Sequence, residues 1–522
     1  MAEDICEELP PSRRRDFTFY LALVFFVGPV WGVVPASWLY VVYSIAYWRF
    51  LSYSHANLIL LACAFVEVLF SIYYSYLSRK ISGRPSPISP SDLDELRLAF
   101  KRLLQSGLVP LPEDGGDEEY YSTDRPSSPD AVIERLERDD PRAIDYRNRS
   151  RTWFRKVPWS RVRSVQFRQW LCWSVFNAVP PPEDQLHQTH RMLLDEATEL
   201  MEKRIGCKIP EGSDPSVQPL RLSLDPVNVV HRPLIWYIFV KIANAYIRTK
   251  YEMKYGLVYG RFRDLEYLFR VPPGYNRAKG PDPVVFLHGL GLGIWQYQHI
   301  LRHFLDELPD TPILIPIQPQ ISQDIFHQRF LRPMLRHEKV ECLAGIIDRL
   351  GWAGPSVDER YGVTLLSHSN GSYNHAWMLK TFPQMVTRSC FADPVTFCSW
   401  DGDVCYNFVY QPCATGVELV IRYFVGTELG VANVIQRHFD WLSNTLWFEE
   451  IPNARDPTHS LFLLGGKDSI LDAQRVKKYL ISHGVKKGLW YDPNGRHGQA
   501  VLVGEAGVNT VISWIKDCNV KS

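Results

Sequence analysis

The chain has 522 residues, with 58 Lys plus Arg against 57 Asp plus Glu, and ten cysteines. That length exceeds one ordinary domain and predicts two or three units with ample material for a buried core. The charge balance excludes a chain-wide electrostatic case for nucleic acid or another bulk anion. Cysteines without a Cys-x-x-Cys pair or zinc-like spacing read as reduced thiols facing the cytosol, not as a disulfide framework.

The first departure from average composition is at the N-terminus. Residues 17–48 carry no charge and 56–77 carry only Glu67. About 20 apolar residues cross a bilayer core, so 1–80 is predicted to be a membrane anchor. The apolar core of a signal peptide, about 7–15 residues, is too short to match the first stretch. Pro29 and Pro35 either kink one long helix or separate two short ones, so two spans are expected and three are the alternative. Arg13, Arg14 and Arg15 precede the first stretch and Arg79 and Lys80 follow the second, which favours a hairpin with both ends in the cytosol. Glu67 reads as a carboxylate packed between helices or protonated in place, with a functional intramembrane acid as the rival.

Residues 81–150 are rich in Pro, Ser, Gly and acid around one short helical stretch, "DLDELRLAFKRLLQSG", and are expected to be a mostly disordered linker. In 149–176 Arg151, Arg155, Lys156, Arg161, Arg163 and Arg168 interleave with Trp153, Phe154, Trp159, Phe167, Trp170 and Trp173. This segment is either interfacial, with rings at headgroup level, or a cationic helix packing its aromatic side on the next domain. Two long helical patterns follow. The second, over 232–256, is apolar enough to touch lipid but is interrupted by Lys241 and Arg248, and core packing is its default. The region 151–260 is thus read as helical.

From 261 to 522 short apolar runs alternate with helix-length segments, the pattern of a parallel sheet with crossover helices. Candidate residues gather after the strands, where open sheets of this kind place their sites. "HGLGLG", His288–Gly293, follows "VVFL" directly, and its glycines let backbone amides turn into a cleft. Its spacing is not G-x-G-x-x-G and no acidic ribose ligand stands at the usual distance, so it does not read as a phosphate cradle. "VTLLSHSNGSYNHA", 363–376, runs from strand into helix with Ser369 at the corner between Ser367 and Gly371.

At this motif the chain resembles the α/β-hydrolase superfamily, whose nucleophile elbow is G-x-S-x-G between strand and helix. Serine at 367 departs mildly from that pattern. The resemblance covers about residues 265–515 and implies an α/β-hydrolase fold, mostly parallel with helices on both faces, preceded by the membrane helices and the helical region. It also implies a triad in which Ser369 attacks an acyl carbonyl, His497 in the Gly-flanked loop after the last strand relays the proton, and Asp468 orients the imidazole. Asp393 in "FADPV" is the alternative acid, since some relatives carry it one strand earlier, and Asp468 or Ser469 could equally be a helix N-cap. Oxyanion donors are expected at the amides of Asn370 and Leu290, the second within a loop that includes His288, Gly289 and Gly291. No cofactor or metal is called for. An insertion at about 396–458, rich in Trp, Phe and Tyr, is expected to be a cap over the site.

Taken together, the sequence predicts a membrane-bound serine hydrolase acting on a lipid or other hydrophobic ester. Its partners would be the bilayer and that substrate, with no nucleic acid. An inactive scaffold of the same fold, or an acyltransferase using the same triad, is the alternative. The expected membrane is the endoplasmic reticulum with the hydrolase domain in the cytosol, and the mitochondrial outer membrane or lipid droplet stands behind it. The sequon at Asn148 would be usable only with that half in the lumen.

Overall fold

The computed structural model describes residues 5–88, 93–106, 132–182, 185–353 and 361–519. Two N-terminal helices, α1 (Phe17–Ala46) and α2 (His55–Ser82), pair as a hairpin, and both are long and apolar enough to cross a membrane. Pro29 and Pro35 do not divide α1. One π-type turn over Leu23–Val27 reorganises the ladder just ahead of Pro29, and Pro35 is carried inside the helix. The hairpin is tied together by polar contacts in an apolar setting. Trp38 Nε1 donates to Ser71 Oγ at 2.9 Å, and the hydroxyls of Ser44 and Tyr53 lie 2.9 Å apart.

Both outer ends of the hairpin are bonded to the same body of protein. The Asp16 amide donates to Ala414 O at 2.9 Å and the Gly416 amide to Thr18 Oγ1 at 2.8 Å. At the other end the Arg437 guanidinium donates to the carbonyls of Ile81 and Ser82, each at 3.1 Å. Glu67 has a partner that sequence could not show. Both its oxygens accept the Leu234 amide at 2.9 Å, at a helix start whose free N–H groups favour a carboxylate.

A helical layer follows: α3 (Leu93–Gln105), α4 (Pro141–Ser150), α5 (Ser164–Phe176), α6 (Gln188–Ile205) and α7 (Leu234–Tyr255). Within the stretch expected as linker, 89–92 and 107–131 lie outside the described residues, whereas α3 and α4 pack on α6. The buried guanidinium of Arg204 donates to Leu104 O at 2.8 Å, and that of Arg147 to Ile205 O at 2.6 Å. These two arginines tie α3, the one helix expected within the linker, together with α4 and α6. The six aromatic rings of 153–173 are all buried, so this segment packs its rings inward, one of the two arrangements anticipated. Trp153 Nε1 donates to Trp400 O at 2.8 Å.

The centre is one eight-stranded sheet: β1 (Val258–Phe262), β2 (Leu265–Arg270), β3 (Val284–Leu287), β4 (Ile313–Ile317), β5 (Val363–His368), β6 (Val386–Ala392), β7 (Ser460–Gly465) and β8 (Leu489–Asp492), ordered 1-2-4-3-5-6-7-8. β2 is antiparallel to β1 and β4, and every pairing from β4 across to β8 is parallel. β1 begins three residues ahead of the expected domain start at 261. "VYGRF" has no apolar run, and it forms because Arg263, at φ +51, turns the chain back onto β2. Along the strands alternate residues feed two cores. Val285, Leu287, Leu365 and Phe391 meet α9 (Arg336–Arg349) and α10 (Gly371–Thr381), reached after α8 (Gln298–Glu307). Val284, Phe286, Leu366 and Cys390 meet α8 and the last helix, Glu505–Asn519.

Between β6 and β7 the chain leaves the sheet for a cap that includes α11 (Gly416–Ile421) and α12 (Leu429–Arg437). Backbone passes very close to the start of α10, where a Cβ on Gly371 would stand 2.0 Å from Leu287 O, a backbone atom of β3 that cannot move aside. Gly371→Ala is therefore expected to destabilise the protein by more than about 3 kcal/mol, read as a lowered melting temperature of the detergent-solubilised chain. An unchanged melt would contradict the close packing of α10 on β3.

Candidate active site

The strand order reverses at β3, and the site sits at the carboxyl ends of β3, β5, β6, β7 and β8, where such a reversal opens a crevice. Ser369 occupies the turn from β5 into α10 with φ +53, a left-handed conformation that a serine adopts at a cost. The turn is held because the Ser369 amide donates to Ala392 O at 3.0 Å. The small residue required two positions earlier is Ser367, and its hydroxyl has a use: Oγ lies 2.9 Å from His375 Nδ1, while His375 Nε2 lies 3.0 Å from Ser389 Oγ. A glycine there would leave that buried imidazole short of a partner.

Three predicted residues from separate loops meet. Ser369 Oγ is 2.8 Å from His497 Nε2, and His497 Nδ1 is 2.6 Å from Asp468 Oδ2. With Asp468 accepting from Nδ1–H, Nε2 is the basic nitrogen that faces the serine hydroxyl. Asp468 Oδ1 accepts the amides of Ile470 and Leu471 at 2.7 and 3.1 Å and so braces the turn after β7; the N-cap expected of Asp468 or Ser469 falls instead to Asp472, whose Oδ1 accepts the Arg475 amide at 3.0 Å, because the helix begins only at Ala473. Burial would lower the His497 pKa, but the charge and hydrogen bond of Asp468, with a smaller contribution from Asp393, carry it above the ordinary imidazole value.

Asp393 does not touch the imidazole. Its oxygens accept the amides of Gly465 at 3.0 Å and Gly498 at 2.7 Å, so it clamps the end of β7 to the loop that carries His497. Burial, and then the Asp468 charge, push its carboxyl up to about 6. Ligand atoms of Asp393, Asp468 and His497 all lie within 4.8 Å of one another, a set that could hold a cation. Their facing atoms, however, are already engaged in the hydrogen bonds just described, which suits proton relay better than ligation.

The glycine loop after β3 is stapled in three places. The Gly289 amide donates to the Tyr297 hydroxyl at 2.8 Å, Gly291 to Ile321 O at 3.0 Å, and Leu292 to Gln296 Oε1 at 2.7 Å. The Leu290 amide between them has no acceptor among the described residues. Leu290 and Asn370, the two predicted donors, line the cavity in front of Ser369. His288 and His368 stand behind the site. His288 Nδ1 lies 2.9 Å from Gly289 O, His368 Nδ1 lies 2.7 Å from the Tyr297 hydroxyl, and burial pulls both imidazoles well down toward neutrality. Tyr297, which links the glycine loop to the serine strand, was missed from sequence, since one tyrosine in a helical stretch carries no signal.

A cavity lies between the strand ends and the cap, about 870 Å³ when the space at its open mouth is included. Tyr373, Trp377, Val395, Phe408, Val434 and Phe439 make most of its wall apolar. Sequence reasoning also missed Gln318, Lys339 and Asn374, which join this wall from three separate elements.

No protein-family model and no curated protein matches the chain. Among solved structures it is similar to a bacterial membrane phospholipase A described as a virulence factor, at 16% identity over 55% of this chain and 94% of that one, TM-score 0.34. It is also similar to a carboxylesterase from Bacillus subtilis, at 11% identity over 54% and 99%, TM-score 0.34. A third is a haloalkane dehalogenase from Bradyrhizobium elkani, at 12% identity over 51% and 99%, TM-score 0.35. The topology speaks for itself: an antiparallel β2 ahead of a parallel run, with a serine elbow ending β5, makes this chain an α/β-hydrolase in fold.

Proposed function

We propose that this chain is a membrane-bound serine hydrolase that cleaves a carboxylic ester of a hydrophobic, lipid-like acyl group through an acyl-enzyme. The observation that carries the reading is the unbroken chain of hydrogen bonds from Asp468 through His497 to Ser369, with Leu290 and Asn370 lining the same cavity. In this reading Ser369 Oγ attacks the ester carbonyl as its proton passes to His497 Nε2. The tetrahedral oxyanion is held by the amides of Leu290 and Asn370, and His497 returns the proton to the departing alcohol. Water then repeats the sequence on the acyl-enzyme. The apolar wall that runs from Ser369 along the cap suits a hydrocarbon acyl chain. Each buried methylene contributes about 0.8 kcal/mol. In p-nitrophenyl or glyceryl esters kcat/KM should therefore climb about fourfold per carbon, a ladder set by that increment, until the cavity is filled. A profile that peaks at acetyl or is flat would remove the lipid part of the reading.

The bilayer is the proposed partner. Both ends of the hairpin are bonded to the hydrolase body, which supports two spans that return to one side, and the basic clusters at those ends support a cytosolic domain, with the endoplasmic reticulum as the membrane. The apolar surface continues onto α7. Ile235, Ile242 and Tyr246 are 62%, 63% and 64% exposed, with Ile238 and Phe239 beside them, a helical stripe with no protein over it. Lys241, the charge that interrupts it, is turned to Asp324 at 2.6 Å. This stripe should lie in the acyl region. A fluorophore on Ile242→Cys in a Cys63→Ser background should be quenched by nitroxide-labelled lipid, and one on Lys487→Cys should not. Equal quenching would refute that placement.

A further inference from the structure

The wall of the Ser369 cavity carries a buried polar cluster. Lys339, on α9, reaches it with its side chain only 8% exposed as a residue. Its ammonium donates to Gln318 Oε1, which also accepts Asn374 Nδ2 at 3.1 Å, while Gln318 Nε2 donates to His288 O at 3.3 Å. Among the described residues no carboxylate pairs with this lysine, and burial alone pulls its pKa down to about 7.

An ammonium has three donors, and only one is given an acceptor here, a neutral amide. Buried lysines are ordinarily paired, because an uncompensated charge in an apolar cavity costs several kcal/mol. If the site held only hydrocarbon, leucine or methionine at this position would be cheaper. The other polar members do not supply a counter-charge. Gln318 is an amide occupied on both sides, and Asn374 is an amide that donates to it. The missing negative charge is therefore absent from the chain around Lys339, in the same cavity that receives the scissile ester.

We propose that the Ser369 cavity takes esters bearing an anionic group, a carboxylate or a phosphate, on the part of the molecule that enters it, and that Lys339, positioned by Gln318, pairs with that group. The inference rests on Ser369 acting as an ester-cleaving nucleophile. The bound anion would complete the ammonium's hydrogen bonds and set the register of the substrate, with the rest of the chain along the apolar wall. An anion on the acyl side and one on the alcohol side would be recognised by the same chemistry.

The test uses the full chain in detergent micelles and two matched pairs of substrates. The first pair is the mono-p-nitrophenyl esters of straight-chain dicarboxylic acids against monocarboxylates of equal length. The second is monoacylglycerol phosphate against monoacylglycerol. The readout is the anionic-to-neutral ratio of kcat/KM, expected to be about tenfold or more in one of the pairs, the size of a charge-assisted hydrogen bond. Preference in the first pair places the anion on the acyl group, and in the second on the alcohol. Lys339→Met should bring the ratio to about one or below, whatever it does to the absolute rates. The wild-type ratio is independent of any variant's folding. Brisk cleavage of neutral esters with no anionic preference in either pair would overturn this inference and leave the hydrolase standing. So would a Lys339→Met variant that slows both members equally, which would make the lysine a support for Gln318 alone. Failure of the wild type on every ester would remove the hydrolase reading, and this inference with it.

Discussion

Ser369→Ala should lower kcat for ester hydrolysis by about 10⁴- to 10⁶-fold, the range seen when one member of a cooperating triad is removed. It should also abolish labelling by a fluorophosphonate probe while the protein still folds. The side chain sits on a left-handed corner whose backbone is held by the Ala392 carbonyl, so removing the hydroxyl takes away the nucleophile and one hydrogen bond to His497 without touching the turn. The probe separates function from scaffold. An inactive scaffold would leave the wild type unlabelled, and wild-type labelling that survives in Ser369→Ala would mean that the reactive group is another residue. His497→Ala should match the serine variant closely, because residues that act as one unit are not additive.

The second large effect distinguishes the two acids. Asp468→Asn is expected to cost about 10⁴-fold in kcat, because an amide facing Nδ1 no longer holds the imidazole in the useful tautomer. It should also change the pH profile with a defined sign. His497 must be neutral to accept the serine proton, and its pKa is raised chiefly through Asp468 against the lowering effect of burial. Wild-type kcat/KM should therefore fall as pH drops through a value above 6.5, the ordinary imidazole figure, and in Asp468→Asn that limb should move to lower pH. Asp393→Asn acts differently. One oxygen becomes an NH₂ that faces an amide of Gly465 or Gly498, costing about 1–3 kcal/mol of stability and loosening the His497 loop, but the acidic limb should stay close to its place. If Asp393→Asn moved the limb and Asp468→Asn did not, the roles of the two acids would be reversed.

The parts of this protein that were legible in its sequence are those set by local physics. Thirty-odd uncharged residues must be taken out of water, so the hairpin shows as length and composition. The elbow shows because strand periodicity, a small residue, serine and glycine lie within nine positions, and Gly371 is required by contact with the neighbouring strand. His497 and Asp468 were visible only through their places after strands in a known chain order. β1 was invisible because it is half polar and depends on a turn.

Tertiary structure decided what depends on partners far apart in the chain. It separated Asp468 from Asp393, two acids in similar post-strand loops, by which one reaches the imidazole. It turned the tryptophan-rich segment inward, gave Ser367 a histidine to hold, and found for Glu67 a helix start 167 residues away. It also brought Lys339, Gln318 and Asn374 from three elements to one wall of the cavity. Hydrogen bonds and charges act over a few ångströms whatever the separation along the chain, and a contact between distant residues leaves no period, spacing or composition from which it could have been read.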